Sequence, residues 1–256
     1  MQLSVSIIGS GNVAWHLAIR LHTCGFFVKA IFSRDIEKAE LLANQVFAKT
    51  VNNLQELPKS DIYLLSIKDD AYTSVVPSLP KSNSIYLHTS GSVDMNVLSE
   101  LSPNYGVLYP FQTFTKGKEL DFRQVPLCIE SSNSHTEQII LGIAEKLSTV
   151  HYRLTSQQRA YLHLAGIFAC NFPNALYAIV EQILKEQQID FAIAAPLIEE
   201  TAAKLQHLSP IDAQTGPAIR NDIQTMEKHL KLLSNSDYKD IYQLLSKIIQ
   251  KQQDNG

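Results

Sequence analysis

The spacing of apolar residues divides the chain into two halves. Up to residue 153, short continuous apolar runs alternate with segments of helical period, which predicts parallel strands joined by helices. The strands are predicted near residues 3–8, 27–32, 46–49, 61–67, 84–87, 106–108, 125–129 and 150–153. Helices are predicted near 12–24, 36–45, 70–76, 93–101 and 135–147. This alternation predicts an α/β domain over residues 1–153, with a Rossmann-type, doubly wound and mostly parallel sheet.

Beyond Leu154 the apolar spacing is helical throughout, which predicts an all-helical second domain over residues 154–256. Its helices are expected near 157–187, 191–208, 217–233 and 237–253. Pro173 should interrupt the first of them, whereas Pro196 lies early enough to be tolerated in the first turn of the second. The apolar stripes of these helices have two interpretations. They either pack on each other or form a homodimer in which the second subunit helps to close the site.

A glycine-rich turn follows the first predicted strand and opens the first predicted helix. Gly9, Gly11 and Ala14 fit the pattern G-x-G-x-x-G/A of dinucleotide-binding turns. The first glycine permits the tight turn, and the second lets backbone N–H groups approach a pyrophosphate. The alternative is that these glycines only serve a strand-to-helix turn. The predicted cofactor contacts in this turn are Gly9, Gly11, Asn12 and Val13.

The end of the second predicted strand selects the cofactor. An acidic residue there would bind the adenosine ribose of NAD, whereas a cation accommodates the 2′-phosphate of NADP. This chain has Ser33 and Arg34, a hydroxyl donor and a planar fork of donors, so NADP is favoured. The alternative is an Arg34 that is solvated beside Asp35, which itself fits the N-cap of the next helix.

Polar residues follow the next predicted strands. Because the carboxyl ends of parallel strands point into one crevice, these residues should contact the same cofactor. The contacts predicted there are Ser66, Ile67, Lys68, Thr89 and Ser90.

Three side chains are candidates for handling a proton beside a nicotinamide: His88, Tyr109 and His163. His88 ends a predicted strand, where it either lines the pocket or hydrogen-bonds its own loop. His163 and Asn171 are about two turns apart on one helix, so both can face one cleft, Asn171 as a substrate contact. The alternative for His163 is a hydrogen-bonded interior residue.

Thr215, Gly216 and Pro217 predict a helix start with Thr215 as N-cap. Arg220 and Asp222 would then lie near the positive end of that helix. Arg220 could bind a carboxylate or phosphate, with Asp222 as a second substrate contact, or it could form an ion pair.

Composition excludes several partners. With 45% hydrophobic residues, 18% charged residues and a net charge of -3, nothing favours nucleic acid or an anionic membrane. The three cysteines lack C-x-x-C spacing, which argues against a disulfide framework and a metal site and for a reducing compartment. We expect no signal peptide, because no basic region followed by an apolar region precedes the first predicted strand. We also expect no membrane span, because the most apolar stretch, 163–172, is too short. We therefore expect a cytoplasmic protein.

These segments together resemble a family of Rossmann-like NADP oxidoreductases whose C-terminal half is a domain of unknown function. The family is akin to pyrroline-5-carboxylate reductase and deazaflavin-dependent NADP reductase. The resemblance is carried by residues 7–18 (IIGSGNVAWHLA), 33–34 (SR), 88–92 (HTSGS), 109–114 (YPFQTF) and 215–222 (TGPAIRND), and by His163 with Asn171. It implies a nicotinamide-dependent reductase with a dimer-forming helical domain. The chain departs from the family pattern at two positions. Where Tyr109 stands, the family frequently has His, and the reference pKa of a tyrosine is much higher than that of a histidine. Where Asn221 stands, the family frequently has Gly.

The sequence therefore predicts an NADP(H)-dependent oxidoreductase. It would transfer hydride to or from a small C=N or C=O substrate bound between the two domains. The alternatives are a non-catalytic dinucleotide-binding sensor or scaffold, and a Rossmann protein with a different ligand.

Overall fold

A computed structural model describes residues 2–254, so Met1 and the last two residues of the predicted domains lie outside the described part. Eight strands form one sheet in the order β3-β2-β1-β4-β5-β6-β7-β8. Every neighbouring pair is parallel except β6 and β7, which confirms the predicted Rossmann-type, mostly parallel sheet. The strands are β1 (Ser4–Ile8), β2 (Phe27–Phe32), β3 (Lys49–Val51), β4 (Ile62–Leu65), β5 (Ile85–His88), β6 (Tyr105–Pro110), β7 (Leu127–Ser131) and β8 (His151–Arg153).

Along the described part of the chain, α-helices first alternate with the strands and, after β8, follow one another without further strands. The first five are α1 (Asn12–Thr23), α2 (Ile36–Val46), α3 (Tyr72–Val75), α4 (Ser134–Leu147) and α5 (Ser156–Gly166). The last four are α6 (Phe172–Glu186), α7 (Ala195–Lys204), α8 (Ile223–Leu232) and α9 (Ser236–Asp254).

Both faces of the sheet are buried, which explains why the central strands β4 and β5 are apolar without alternation up to Leu65 and Leu87. On one face, Ile7 and Leu64 pack in a core with residues of α1, α2 and α4. On the other face, Ile8 and Leu65 pack with Tyr72 of α3. Neighbouring residues of one strand thus serve opposite cores, because side chains alternate across a strand.

The register brings the ends of four strands to one edge. Ile8 of β1 pairs with Phe32 of β2 and Leu65 of β4, and Leu65 pairs with His88 of β5. The chain therefore leaves the sheet at the same level after each of these strands. This alignment brings the glycine turn and the polar strand ends together.

For several predicted elements, either the type or the residue bounds are wrong. The helix predicted at 93–101 is only a 3₁₀ turn, Met95–Leu98, capped by the Asp94 carboxylate. The predicted helix at 70–76 reduces to α3 between two 3₁₀ turns, the second of which contains Pro77. The strand predicted from residue 46 begins at Lys49, because α2 continues to Val46 and Phe47 ends it in the left-handed region.

By their contacts, the described residues form two compact units that divide between Cys170 and Asn171. The second unit contains α6 to α9. This division lies 17 residues after the domain boundary predicted at 153/154, which marks the end of the last strand and stays a prediction. Pro173 interrupts regular helix as expected, because a π-helical turn, Ile167–Asn171, precedes it. Pro196 lies in the first turn of α7, also as expected.

Among residues 2–254, one helical run is long and apolar enough to span a membrane by length and composition. Ser156–Glu186 has 31 residues and an apolar window of mean hydropathy 1.3. Apolar helices of soluble proteins meet the same criterion, so this is weak evidence for a span. The run is longer than the apolar stretch judged from the sequence, and the expected absence of a membrane partner stays a prediction.

Candidate functional site

A cavity of about 1010 Å³ opens at the sheet edge where β1, β2, β4 and β5 end. Its walls belong entirely to the first unit. They include Tyr109 of β6 and His163 of α5. They also include every residue predicted to contact a cofactor: Gly9, Gly11, Asn12, Val13, Ser33, Arg34, Ser66, Ile67, Lys68, Thr89 and Ser90.

The two glycines of the turn have different local constraints. Gly9 has φ +126°, and a Cβ on it would lie 2.0 Å from the carbonyl oxygen of Ser66. A Cβ on Gly11 would meet no described atom within 4 Å, so its bare backbone faces the open cavity. The first N–H groups of a helix lack intrahelical partners, and Gly11, the N-cap of α1, supplies no side-chain cap. This cradle fits a pyrophosphate group.

The Ser33 hydroxyl is oriented by its neighbours. Its oxygen accepts hydrogen bonds from the Ser10 hydroxyl at 2.9 Å and from the Asp35 N–H at 3.2 Å. With two donors on its oxygen, the Ser33 hydroxyl retains its own proton to donate into the cavity. Arg34 lines the same wall.

Lys38, which the sequence pattern did not predict as a site residue, also lines this wall. Its Nζ lies 2.6 Å from the Asp35 carboxylate, which also caps α2 by accepting from the Lys38 N–H. The hydrogen bond from the Lys38 side chain lowers the pKa of Asp35. The only signal in the sequence was the spacing of three residues between Asp35 and Lys38, which places both at the helix start.

Tyr109 and His163 form a pair at the cavity wall. The Tyr109 hydroxyl and His163 Nδ1 are 3.2 Å apart and share a hydrogen bond, and the rings meet edge to face. The backbone of Gly91 lies directly under the imidazole, since a Cβ there would be 2.7 Å from its ring atoms. Burial raises the pKa of Tyr109 to about 12, so its hydroxyl stays protonated.

His88 lies in the core and does not line the cavity, contrary to the expectation that it faces the pocket. Its Nδ1 accepts a hydrogen bond from the Ser90 N–H at 3.2 Å, so the proton of the neutral ring is on Nε2. Within residues 2–254, Nε2 has no hydrogen-bond partner. Burial lowers the pKa of His88 to about 3. The structure thus shows the alternative role, a histidine that hydrogen-bonds its own loop.

We expect His88 to make the free energy of unfolding depend on pH. Its pKa falls from 6.5 to about 3 on folding, so protonation favours the unfolded chain. Stability present at neutral pH is therefore lost as the pH falls from 6.5 towards 3, by about 2 kcal/mol between pH 7 and pH 5. Urea denaturation at both pH values measures it. The His88→Asn variant, which retains an acceptor but does not titrate, should lose about 2 kcal/mol less over this range. Equal losses in both proteins would contradict the assignment.

Three predicted site residues belong to the second unit: Asn171, Arg220 and Asp222. The predicted helix start at Thr215 is wrong, because Asp222 is the N-cap of α8 and accepts hydrogen bonds from the Thr225 N–H and hydroxyl. Those bonds lower the pKa of Asp222. Arg220 therefore precedes the helix instead of lying in its first turn. The substrate roles of all three residues stay predictions.

The thiols and carboxylates show no metal-binding arrangement in the part of the chain that the structure describes. No group of three or more His, Cys, Asp or Glu side chains there could hold a metal ion. Cys24, Cys128 and Cys170 are all free, and of these only Cys128 is fully buried. Burial raises the pKa of the Cys128 thiol to about 11, so it is an inert interior group.

The sheet order, the glycine turn and the cavity define a dinucleotide-binding protein of the Rossmann class. Two family models match the chain: "NADP oxidoreductase coenzyme F420-dependent" over residues 4–89 and "Domain of unknown function (DUF2520)" over residues 125–249. A solved structure from Bacteroides fragilis, described as a "putative NADP oxidoreductase", is 38% identical and covers 98% of both chains with a TM-score of 0.93. The chain belongs to this family of NADP oxidoreductases, and the predicted cofactor, NADP, is the cofactor of that family.

More distant structures share the fold. A reductive aminase from Aspergillus terreus, solved with NADPH, is 15% identical with a TM-score of 0.69, covering 100% of this chain and 95% of that one. A pyrroline-5-carboxylate reductase from Coxiella burnetii is 13% identical with a TM-score of 0.55, covering 98% and 97%. No curated protein sequence matches the chain. The stated resemblance to pyrroline-5-carboxylate reductase is thereby confirmed at the level of fold.

Proposed function

We propose that this protein is an NADP(H)-dependent reductase of a small C=N or C=O compound. The observation that carries the proposal is the Tyr109–His163 pair, which lines the same cavity as the glycine turn and the Ser33–Arg34 wall. Bound NADPH would supply the hydride, so the protein has to bind both molecules and provide a proton. Lys68, three residues after the end of β4, offers a cation on the same wall for an anionic part of the ligands.

The pair supplies that proton. For each hydride added to carbon, reduction of a carbonyl or neutral imine requires one proton on its oxygen or nitrogen. The Tyr109 hydroxyl donates this proton. His163 then relays a proton from water, because Nε2 takes one up as Nδ1 gives its own to the phenolate oxygen. Burial keeps Tyr109 protonated until the substrate's heteroatom accepts the proton. A substrate that binds as an iminium ion already carries the proton and would need Tyr109 only for orientation.

The wall formed by Ser33, Arg34 and Lys38 favours the 2′-phosphate of NADP. Arg34 provides planar donors, and Ser33 has a free hydroxyl proton. Asp35 would repel a phosphate, but its carboxylate is occupied by Lys38 and by the cap of α2. The negative charge of Asp35, which would disfavour NADP, is therefore balanced by contacts within α2.

The Arg34→Gln variant should bind NADPH about 10- to 100-fold more weakly and NADH with unchanged affinity. The reason is the loss of charge-assisted hydrogen bonds to the 2′-phosphate, which contribute about 1.5–3 kcal/mol. Titration by nucleotide fluorescence measures both constants. Arg123→Gln is a matched control, because Arg123 is exposed, pairs with Asp121 and lies outside the cavity. Wild-type protein that binds NADPH and NADH equally would contradict the NADP preference.

The helical unit supports a homodimer. None of the described residues of α6 or α7 is fully buried, so packing within the chain covers the apolar side chains of these helices only in part. On α7 and α8, Leu197 is 70% and Leu232 82% exposed. Apolar surface of this kind is typical of an interface between subunits.

Light scattering after gel filtration should give a dimer for the wild type. The Leu197→Glu, Leu232→Glu double variant should be a folded monomer, because it places charges in the proposed interface. A control with Leu41→Glu, on an exposed position of α2 in the first unit, should remain dimeric. A monomeric wild type would overturn the proposed dimer.

A further inference from the structure

We infer that Arg159 is a positioning residue, whose buried guanidinium holds the loop after β5 and the start of α5 so that His163 meets Tyr109. The inference rests on the proposed function only in taking the Tyr109–His163 pair as the proton site. Arg159 is 1% exposed and does not line the cavity, so it acts through other groups.

The guanidinium of Arg159 connects three segments of the chain. Its Nε donates to the Ser90 carbonyl at 3.1 Å, and one terminal nitrogen donates to the Val93 carbonyl at 2.5 Å. The other terminal nitrogen donates to the carboxylate of Glu130 on β7. Both carbonyls belong to the loop that follows β5, so this loop is tied to α5 at two points.

Glu130 fixes the start of the same helix. Its carboxylate accepts hydrogen bonds from the Ser156 N–H at 2.7 Å and from the Ser156 hydroxyl at 2.8 Å. Ser156 is the first residue of α5, the helix that carries His163. The pair of Glu130 and Arg159 thus joins the sheet, the loop and the helix through one hydrogen-bonded cluster, whose guanidinium is buried and whose carboxylate is 14% exposed.

The cluster is connected with His163 in two ways, through helix α5 and through the loop after β5. Arg159 and His163 are four residues apart on α5, so they lie on the same face of the helix, one turn apart. The Ser90 carbonyl that Arg159 holds belongs to the residue before Gly91, whose backbone lies against the His163 ring. A shift of this carbonyl would therefore move the surface that supports the imidazole.

A second contact holds the loop from the cavity side. The Ser90 hydroxyl donates to the Asp69 carboxylate at 2.8 Å, and the Ser90 oxygen accepts from the Ser92 and Val93 N–H groups. Arg159, which is buried, donates to the backbone carbonyl of the same residue. The position of Ser90 is thus fixed by one side chain that binds its hydroxyl and another that binds its carbonyl.

A role in stability alone would not require these residue types. Buried ion pairs can often be replaced by apolar residues with little loss of stability. A planar guanidinium, in contrast, directs several N–H groups in fixed directions, which a lysine cannot do. The two carbonyls and the carboxylate bound by Arg159 use this property, and they determine the position of a loop that lines the cavity.

The test uses nuclear magnetic resonance of the His163 ring in the full-length, cofactor-free protein. The Arg159→Met, Glu130→Gln double variant removes the guanidinium without leaving an uncompensated charge in the interior. We expect it to lose the nuclear Overhauser contact between Gly91 and His163. Its His163 ring signals should move towards those of Tyr109→Phe, in which the hydrogen bond to His163 is absent.

The matched control is the Arg153→Met, Glu137→Gln double variant. That arginine also donates to a glutamate carboxylate, but it is 63% exposed and lies outside the cavity. Its His163 signals should equal those of the wild type. Arg159→Lys, which keeps the charge but not the fork, provides the test if the double variant does not fold. We expect it to lose the same contact.

Folded Arg159 variants with wild-type His163 signals would overturn the inference. The measurement needs neither cofactor nor substrate, so it does not depend on whether the protein reduces any compound. A wild type that binds no NADPH would overturn the proposed function but would not alter the spectra. Once a substrate is known, the double variant should lose about 10²-fold in kcat, the effect of misplacing a reacting group by about 1 Å.

Discussion

Tyr109→Phe should bind NADPH like the wild type and lose about 10²- to 10⁴-fold in kcat, the usual contribution of a positioned proton donor. The substitution removes one oxygen atom and leaves the ring, which packs beside Phe111 and His163. The cavity should therefore keep its shape while the proton for the substrate's heteroatom is missing. His163→Gln should show a loss in the same range, because it removes the group that returns the proton to Tyr109.

The measurement is NADPH consumption with a panel of cyclic imines, ketones with added amines, and keto acids. Tyr152→Phe and His135→Gln are matched controls, since both residues are exposed and lie outside the cavity. They should retain wild-type turnover. The double variant Tyr109→Phe, His163→Gln should be no slower than the worse single variant, because the two side chains act as one unit.

Two outcomes would contradict this mechanism. Wild-type turnover in both single variants would mean that the proton comes from elsewhere. Tight binding of NADPH by the wild type without consumption by any compound of the panel would favour the sensor or scaffold that the sequence left open.

The two glycines of the dinucleotide turn should respond in opposite ways to alanine. Gly9→Ala should destabilise the cofactor-free protein by about 3 kcal/mol or more, because it combines a strained backbone with a severe contact. Its φ is +126°, and the new Cβ would lie 2.0 Å from the Ser66 carbonyl oxygen. Gly11→Ala should leave the cofactor-free protein as stable as the wild type, because its Cβ meets no described atom within 4 Å. It should nevertheless weaken NADPH binding about 100-fold, since the methyl group occupies the space that the pyrophosphate needs.

Thermal unfolding with and without NADPH separates these effects. Gly9→Ala should lower Tm in both conditions. Gly11→Ala should lose only the increase in Tm that NADPH causes in the wild type. Gly142→Ala, in α4, is the control, because its Cβ also has free space but lies away from the cavity. If Gly11→Ala kept wild-type NADPH affinity, the glycines would serve only the turn, which is the alternative interpretation of the sequence.

The parts of the site predicted from the sequence are those in which local chemistry follows a strand directly. The glycine turn, Ser33 with Arg34, and the residues after β4 and β5 each lie next to a recognisable apolar run. Parallel strands align their carboxyl ends, so the sequence positions of these residues imply their proximity in space. The alternation of strands and helices predicted the fold for the same reason, because each apolar run has to be buried on both faces of the sheet.

Short elements and caps were predicted less well. A 3₁₀ turn and a short helix have similar residue patterns, so the segment at 93–101 was assigned the wrong type. Asp222 and Thr215 are both acceptable N-caps by residue type, and only the hydrogen bonds to Thr225 distinguish them. In each case the two alternatives differ by only a small free energy within the local segment. Contacts with other segments of the same unit therefore determine which of them forms.

The sequence by itself determined the sheet, the cavity edge and NADP as the cofactor, because these follow from local patterns and the geometry of parallel strands. Only the tertiary structure decided which polar side chains reach the cavity. It placed His88 in the core and His163 beside Tyr109, although His88 follows one apolar run and His163 begins another. It also joined Arg159 to Ser90, 69 positions away along the chain. The direction of a side chain depends on the register and packing of distant segments, and no local pattern specifies these.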